Sequence, residues 1–208
     1  MSITFLIIIL TCAVSIPAFS SEKLKDDLLF WPWGIRSEHQ YYRFLSNGAI
    51  HADAMHLIFN MVSFYSFGSA LEDYLYKVVF GDMARGLYAI LYVTAIAFAV
   101  IPDYFKYQFR PHYRSLGASG AVSAVIFAAI TIQPRMPIRF FFIPFNIPGY
   151  IFGICFLILS ASLAKKGQGN IGHSAHFWGS VYGIAFTYLA AKFIAHVDLI
   201  GIFLGSFR

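Results

Sequence analysis

The chain has 208 residues, of which 59% are hydrophobic and 12% charged, and it carries a formal net charge of +5. Soluble domains carry about a quarter charged residues, so an ordinary soluble globule is excluded, and Lys and Arg scattered through the sequence form no basic stripe for nucleic acid. The two cysteines, Cys12 and Cys155, both fall in apolar runs, which excludes a disulfide framework and a cysteine metal centre.

Six runs free of Asp, Glu, Lys and Arg follow in chain order: Ser2–Ser21, Met55–Leu71, Gly86–Pro102, the stretch between Arg114 and Gln133, Pro148–Ala164 and Gly167–Ala191. Each is near the ~17–25 residues that cross a hydrocarbon core. The first run has no preceding Lys or Arg and exceeds the roughly 7–15 apolar residues of a signal peptide, so it reads as a retained helix, with a cleaved signal as the alternative. The loop from about residue 22 to 54 mixes Trp31, Trp33, Tyr41 and Tyr42 with charges, the composition of a headgroup-level segment. The aromatic, Pro-broken stretch Phe140–Ile147 reads as an interfacial approach, and Pro148 suits the first turn of the fifth helix. The pattern predicts an all-α membrane protein, a six-transmembrane-helix bundle in the lipid bilayer, with residues 1–208 as a single domain.

Polar side chains inside spans are costly and usually face the bundle interior. The second run opens with His56 and Asn60, four apart and therefore on one helix face. The fourth opens with Gly117-Ala118-Ser119-Gly120, and the sixth with Ala175-His176-Phe177-Trp178-Gly179. Runs two, four and six cross in the same direction. Asn60, Ser119 and His176 lie seven, five and six residues beyond Asp53, Arg114 and Asn170, or ~7–11 Å at ~1.5 Å per residue. The three share one depth near one face. Ala175, Gly179 and Gly183 are spaced by four, as are Gly120 and Ala124, a pattern for close helix contact.

A hydroxyl beside an imidazole is the minimal nucleophile and general base. Ser119 and His176 are the candidate catalytic pair, with His56, Asn60 and the Ser119 backbone N–H as candidate oxyanion donors. No metal and no cofactor is called for. His39, His112, His173 and His196 read as loop or boundary residues. Each polar group alone has a plainer reading as packing or inter-helix hydrogen bonding; their joint depth favours chemistry.

These residues resemble the rhomboid intramembrane serine proteases. The similarity runs from about Tyr41 to Gly183 and takes in Tyr42-Arg43, His51, His56, Asn60, Glu72, Gly117-Ala118-Ser119-Gly120, Ala175-His176, Gly179 and Gly183. It implies a serine endopeptidase with Ser119 as nucleophile and His176 as base, no third acidic member, and single-span transmembrane protein substrates. His56 and Asn60 would stabilise the oxyanion, while Arg43 and Glu72 would hold the first loop and the end of the second helix. A bacterial inner membrane is the expected location, with the site facing outward. The positive-inside rule opposes that orientation, since nine of the fifteen Lys and Arg would then lie outside. One departure is Ser123, where well-known bacterial members carry a Tyr that packs on the catalytic His. Two other readings are an inactive rhomboid-like client binder and a small transporter or channel lined by His56, Asn60 and Ser119.

Overall fold

The computed structural model describes residues 1–139, 144–166 and 172–205. Helix α1 (Ile3–Ala18) starts on the side chain of Ser2, whose Oγ accepts the Phe5 N–H at 3.1 Å. The first loop is not extended chain. It holds three short helices, α2 (Glu22–Leu28), α3 (Pro32–Ser37, with Pro at its first position) and α4 (Arg43–Ser46). Arg43 is buried there and donates from Nη1 to the carbonyls of Asp26 (2.7 Å) and Leu29 (2.8 Å). A guanidinium bonding these two carbonyls ties α4 to the end of α2.

Asp53 caps α5 (Ala54–Ala70) through the His56 N–H at 2.8 Å. The helix runs on through a π turn (Leu71–Leu75) into α6 (Tyr76–Phe80). Gly81, at φ 55° and ψ −127°, then breaks the ladder, and α7 (Ala84–Tyr107) follows. Residues 54–107 form a helical run long and apolar enough to cross a membrane, but it is a hairpin. Phe64 meets Tyr92 at 4.7 Å and stacks on Tyr88 at 6.5 Å, whereas 24 residues of straight helix would separate Phe64 from Tyr88 by about 36 Å. A left-handed glycine is what this reversal requires.

The π turn carries Glu72, whose buried carboxylate accepts from Ile3 N (2.7 Å), Thr4 N (2.9 Å) and Thr4 Oγ1 (2.9 Å). An anion at the start of α1 satisfies its orphan N–H groups and favours its dipole. The sequence resemblance assigns Glu72 to the end of the second helix; its bonds tie that end to the first turn of α1.

Helix α8 (Ser119–Ile132) is the centre of the bundle, with every residue from Gly120 to Ile130 buried. Around it stand α5, α7, α9 (Gly149–Lys166) and α10 (His173–Ala190), the last prolonged by a π turn (Ala191–Ala195). The chain then bends by 114° into α11 (Leu199–Gly205). The surrounding helices turn apolar side chains outward, among them Ile9, Phe59, Val62, Val93, Ile158 and Leu189, while Thr4, Thr11, Asn60, Ser123, Ser180 and Thr187 are buried. Large apolar residues outside with polar ones inside is the distribution a bilayer selects.

Pro148 does not begin the fifth long helix, which starts at Gly149. With Ile147 it forms a short strand, β2, antiparallel to β1 (Pro137–Ile138). Proline has no N–H to give, but here Gly149 N donates to Met136 O at 2.9 Å and closes the turn. Residues 140–143 of the expected interfacial approach, and 167–171 of the sixth run, lie outside the described residues.

Candidate active site

At 14 residues α8 is about 21 Å long, well short of the ~30 Å hydrocarbon core. The helix does not occupy the whole apolar run: residues 115–118 form a non-helical approach, and Ser119 is the first helical residue. Irregular backbone at membrane depth must find its hydrogen bonds within the protein, and this segment does. Ser115 exchanges both backbone bonds with Phe30 (2.9 and 3.1 Å), Gly117 N donates to Asn47 O at 2.9 Å, and Ala118 N donates to His51 Nε2 at 3.3 Å. Val122 N is the first to close a helical turn, on Ala118 O at 3.0 Å. The N–H groups of Ser119, Gly120 and Ala121 thus begin the helix with no intrahelical acceptor.

His51 is fully buried and sits in the connection before α5. Because Nε2 accepts from Ala118, Nδ1 carries the proton and donates to Ser15 Oγ (2.9 Å), which donates to Ala49 O (2.9 Å). Burial first, and the neighbouring His56 second, push its pKa down from 6.5 to about 3, with Asp53 opposing. The imidazole is therefore neutral, as its bond to Ala118 N–H requires.

His56 lies in the first turn of α5 with its ring 5.0 Å from that of His51. It is also against the segment leading to Ser119, since a Cβ on Gly117 would come within 2.8 Å of His56 Cε1 and 3.1 Å of Nε2. Gly117 has φ +117°, so it needs glycine for both its backbone conformation and its space. Ala52 N approaches His56 Nδ1 at 3.5 Å, a long contact that favours the proton on Nε2. Asn60, one turn on and buried, donates from Nδ2 to His56 O at 2.9 Å, which leaves one amide hydrogen uncommitted.

His176 lies in the first turn of α10. Gly179 and Gly183 let α10 touch the α8 backbone. A Cβ on Gly179 would run into the Gly120 carbonyl oxygen and lie 2.8 Å from its carbon, and one on Gly183 would lie 2.7 Å from Ala124 Cα. Ala175 O approaches the position of a Gly120 Cβ to 3.3 Å, so the immediate neighbours of Ser119 and His176 are in contact. The His176 Nε2 is buried and has no hydrogen-bond partner; it is not bonded to the Ser119 hydroxyl in this structure. Catalytic hydrogen bonds are often long before substrate arrives.

Phe156 and His173 had no place in the site as read from the sequence, and His51 had no role there. Phe156 of α9 lies 6.0 Å from the His176 ring and supplies an aromatic neighbour although position 123 is a buried Ser. His173, read as a boundary residue, begins α10 and sets its ring edge-on to His176 at 5.8 Å. Its i, i+3 spacing from His176 was the available signal. His51 belongs to the residues that carry the family resemblance, but its role was not legible there, because its contacts come from Ser15 and Ala118, far away in sequence. A cavity of about 410 Å³ lies at the other end of α8, lined by Phe127, Ile130, Leu157 and Leu199 among others. It holds none of these residues and offers almost no polar group.

Residues 38–193 match the Rhomboid domain family. Among curated proteins, the chain is 30% identical over 138 residues to RHOMBOID-like protein 12, mitochondrial, of Arabidopsis thaliana, covering 62% of this chain and 40% of that one. It is 25% identical over 180 residues to Rhomboid-like protein 15 of the same plant, covering 81% and 41%. It is 24% identical over 172 residues to Rhomboid protease GlpG of Haemophilus influenzae, covering 81% of each. The chain spans about two-fifths of the length of the two plant relatives.

Proposed function

The chain belongs to the rhomboid family of integral membrane proteins, and from that premise we propose that it is an intramembrane serine endopeptidase cutting single-span membrane proteins with a Ser119–His176 dyad. In this reading six helical segments cross the bilayer: α1, α5 with α6, α7, α8, α9 and α10. Any bilayer serves the chemistry, a bacterial inner membrane or a mitochondrial one alike.

The observation that carries the proposal is the backbone contact of α8 with α10 at Gly120 and Gly179. It sets Ser119 and His176 on facing first turns, one at a helix start with unsatisfied N–H groups, the other with a buried, unpartnered ring nitrogen. In the proposed reaction Ser119 Oγ attacks the scissile carbonyl carbon as His176 takes its proton. The tetrahedral oxyanion is held by the N–H groups at the start of α8, with His56 Nε2–H and the second Asn60 amide hydrogen as further donors. His176 then protonates the leaving amine. Water, activated by the same imidazole, cleaves the acyl-enzyme and regenerates the Ser119 hydroxyl. The peptide bond is broken and one water consumed, without metal or cofactor.

The test is reconstitution in liposomes with a single-span substrate, comparing the wild type with Ser119→Ala and His176→Ala. Both substitutions are expected to abolish cleavage, and a fluorophosphonate is expected to label Ser119 in the wild type alone. Cleavage persisting in Ser119→Ala refutes the mechanism. The absence of a Ser119–His176 hydrogen bond favours one other reading, a rhomboid-like protein that binds membrane clients without cutting them. A wild type that retains substrate in the bilayer but neither cleaves nor labels would establish that reading instead.

A further inference from the structure

Glu72 holds the start of α1 from a neighbouring helix, and a second buried carboxyl group lies on the Ser119 side of the bundle. Asp103, near the end of α7, is 2% exposed. It forms no ion pair among the described residues, although Lys106 lies near it on the same helix. Its Oδ2 accepts the Tyr113 hydroxyl at 3.0 Å, and the Ser174 side chain lies near it without a hydrogen bond. Tyr113 stacks on Tyr107 at 3.8 Å and stands six residues before Ser119. Ser174 stands in the first turn of α10, two residues before His176. That helix has no side-chain N-cap and no acidic residue in its first turn, so Asp103 is an acidic group brought near its start from another helix. One buried carboxyl group therefore holds the segment that leads to Ser119 and borders the start of the helix that carries His176, and the proposed dyad mechanism makes no use of it.

We infer that Asp103 is a positioning residue, setting Ser119 and His176 relative to one another by bracing Tyr113 beside Ser174; the inference rests on the endopeptidase reading above. It touches neither the substrate nor the reacting atoms. A tie of this kind acts on geometry, so its removal lowers the turnover rate more than it weakens substrate binding.

The full chain, reconstituted in liposomes with a single-span substrate, provides the test, with Asp103→Asn, Tyr113→Phe and Ser174→Ala as variants. Asp103→Asn is expected to lower kcat by about tenfold to a hundredfold, the range of an ångström-scale misplacement, with KM held within about twofold. The rate of fluorophosphonate labelling at Ser119 should fall in parallel. Tyr113→Phe and Ser174→Ala should each give a smaller loss, and Ser174→Ala should add little once Asp103 is already Asn, because both changes fall on one contact. If Asp103→Asn lowers only the unfolding temperature and leaves kcat intact, the inference is overturned. If that variant does not fold, the two hydroxyl deletions decide, and unchanged kcat in both overturns it. A wild type that neither labels nor cleaves would sink the endopeptidase reading itself, whereas an active wild type matched by an active Asp103→Asn sinks only the role of Asp103.

Discussion

Gly179→Ala places the smallest possible side chain where α10 lies directly against the α8 backbone. The added Cβ would lie 2.8 Å from the Gly120 carbonyl carbon and nearer still to its oxygen. Ordinary carbon–carbon contact is about 3.5–4.0 Å, so α10 must retreat from α8 by roughly 1 Å. The obstacle is backbone in the first turn of α8, which no rotamer change relieves. Overpacking of this kind costs about 1–3 kcal/mol, which lowers stability without unfolding a typical domain. Function should suffer more, since His176 rides on α10 one turn before the clash, and a misplacement of about 1 Å costs on the order of a hundredfold in rate. The assay is cleavage of a single-span substrate in liposomes beside fluorophosphonate labelling of Ser119, with thermal unfolding measured on the same samples. Gly86→Ala is the control: nothing lies within 4 Å of a Cβ there, and alanine in a helix gains about 0.5–1 kcal/mol over glycine. Gly179→Ala within threefold of the wild type would show that the α8–α10 spacing does not set the geometry of the pair.

Glu72→Gln keeps an acceptor at the start of α1 but removes its charge; a loss of about 1–2 kcal/mol is expected, seen as a lower unfolding temperature in detergent with labelling of Ser119 unchanged in the cold, and an unchanged midpoint would contradict the capping role. His51 takes up its proton near pH 6.5 when unfolded but only near pH 3 when folded. Its contribution is therefore full above about pH 6.5 and is lost as the pH falls toward 3. His51→Gln should flatten that slope in an unfolding titration, and an identical slope would remove His51 as its source. Asn60→Ala should reduce the cleavage rate by about tenfold. That is less than the 10²–10³-fold typical of a sole oxyanion donor, because the α8 N–H groups and His56 remain; a wild-type rate would take Asn60 out of the site.

What the sequence determined by itself is whatever local periodicity encodes. Charge-free runs of helical length placed the long helices, because a segment entering lipid must be apolar along its own length. The four-residue spacing of Gly179 and Gly183 against Gly120 and Ala124 announced the α8–α10 contact, because helical rise and turn put such residues on one stripe. His56 and Asn60 were readable as one face for the same reason. The tertiary structure alone decided the interactions that join distant segments. Glu72 reaches α1 across 69 residues, and His51 reaches Ala118 across 67. Asp103 takes the Tyr113 hydroxyl from the loop after α7, and Phe156 comes to His176 from the preceding helix. Nor did composition show that α8 begins at Ser119, below the apolar boundary, since residues 115–118 are as free of charge as the helix they lead into. Their non-helical path depends on acceptors offered by Phe30, Asn47 and His51. A backbone group buried in lipid takes its shape from the partner that satisfies its hydrogen bond, and only the folded chain supplies that partner.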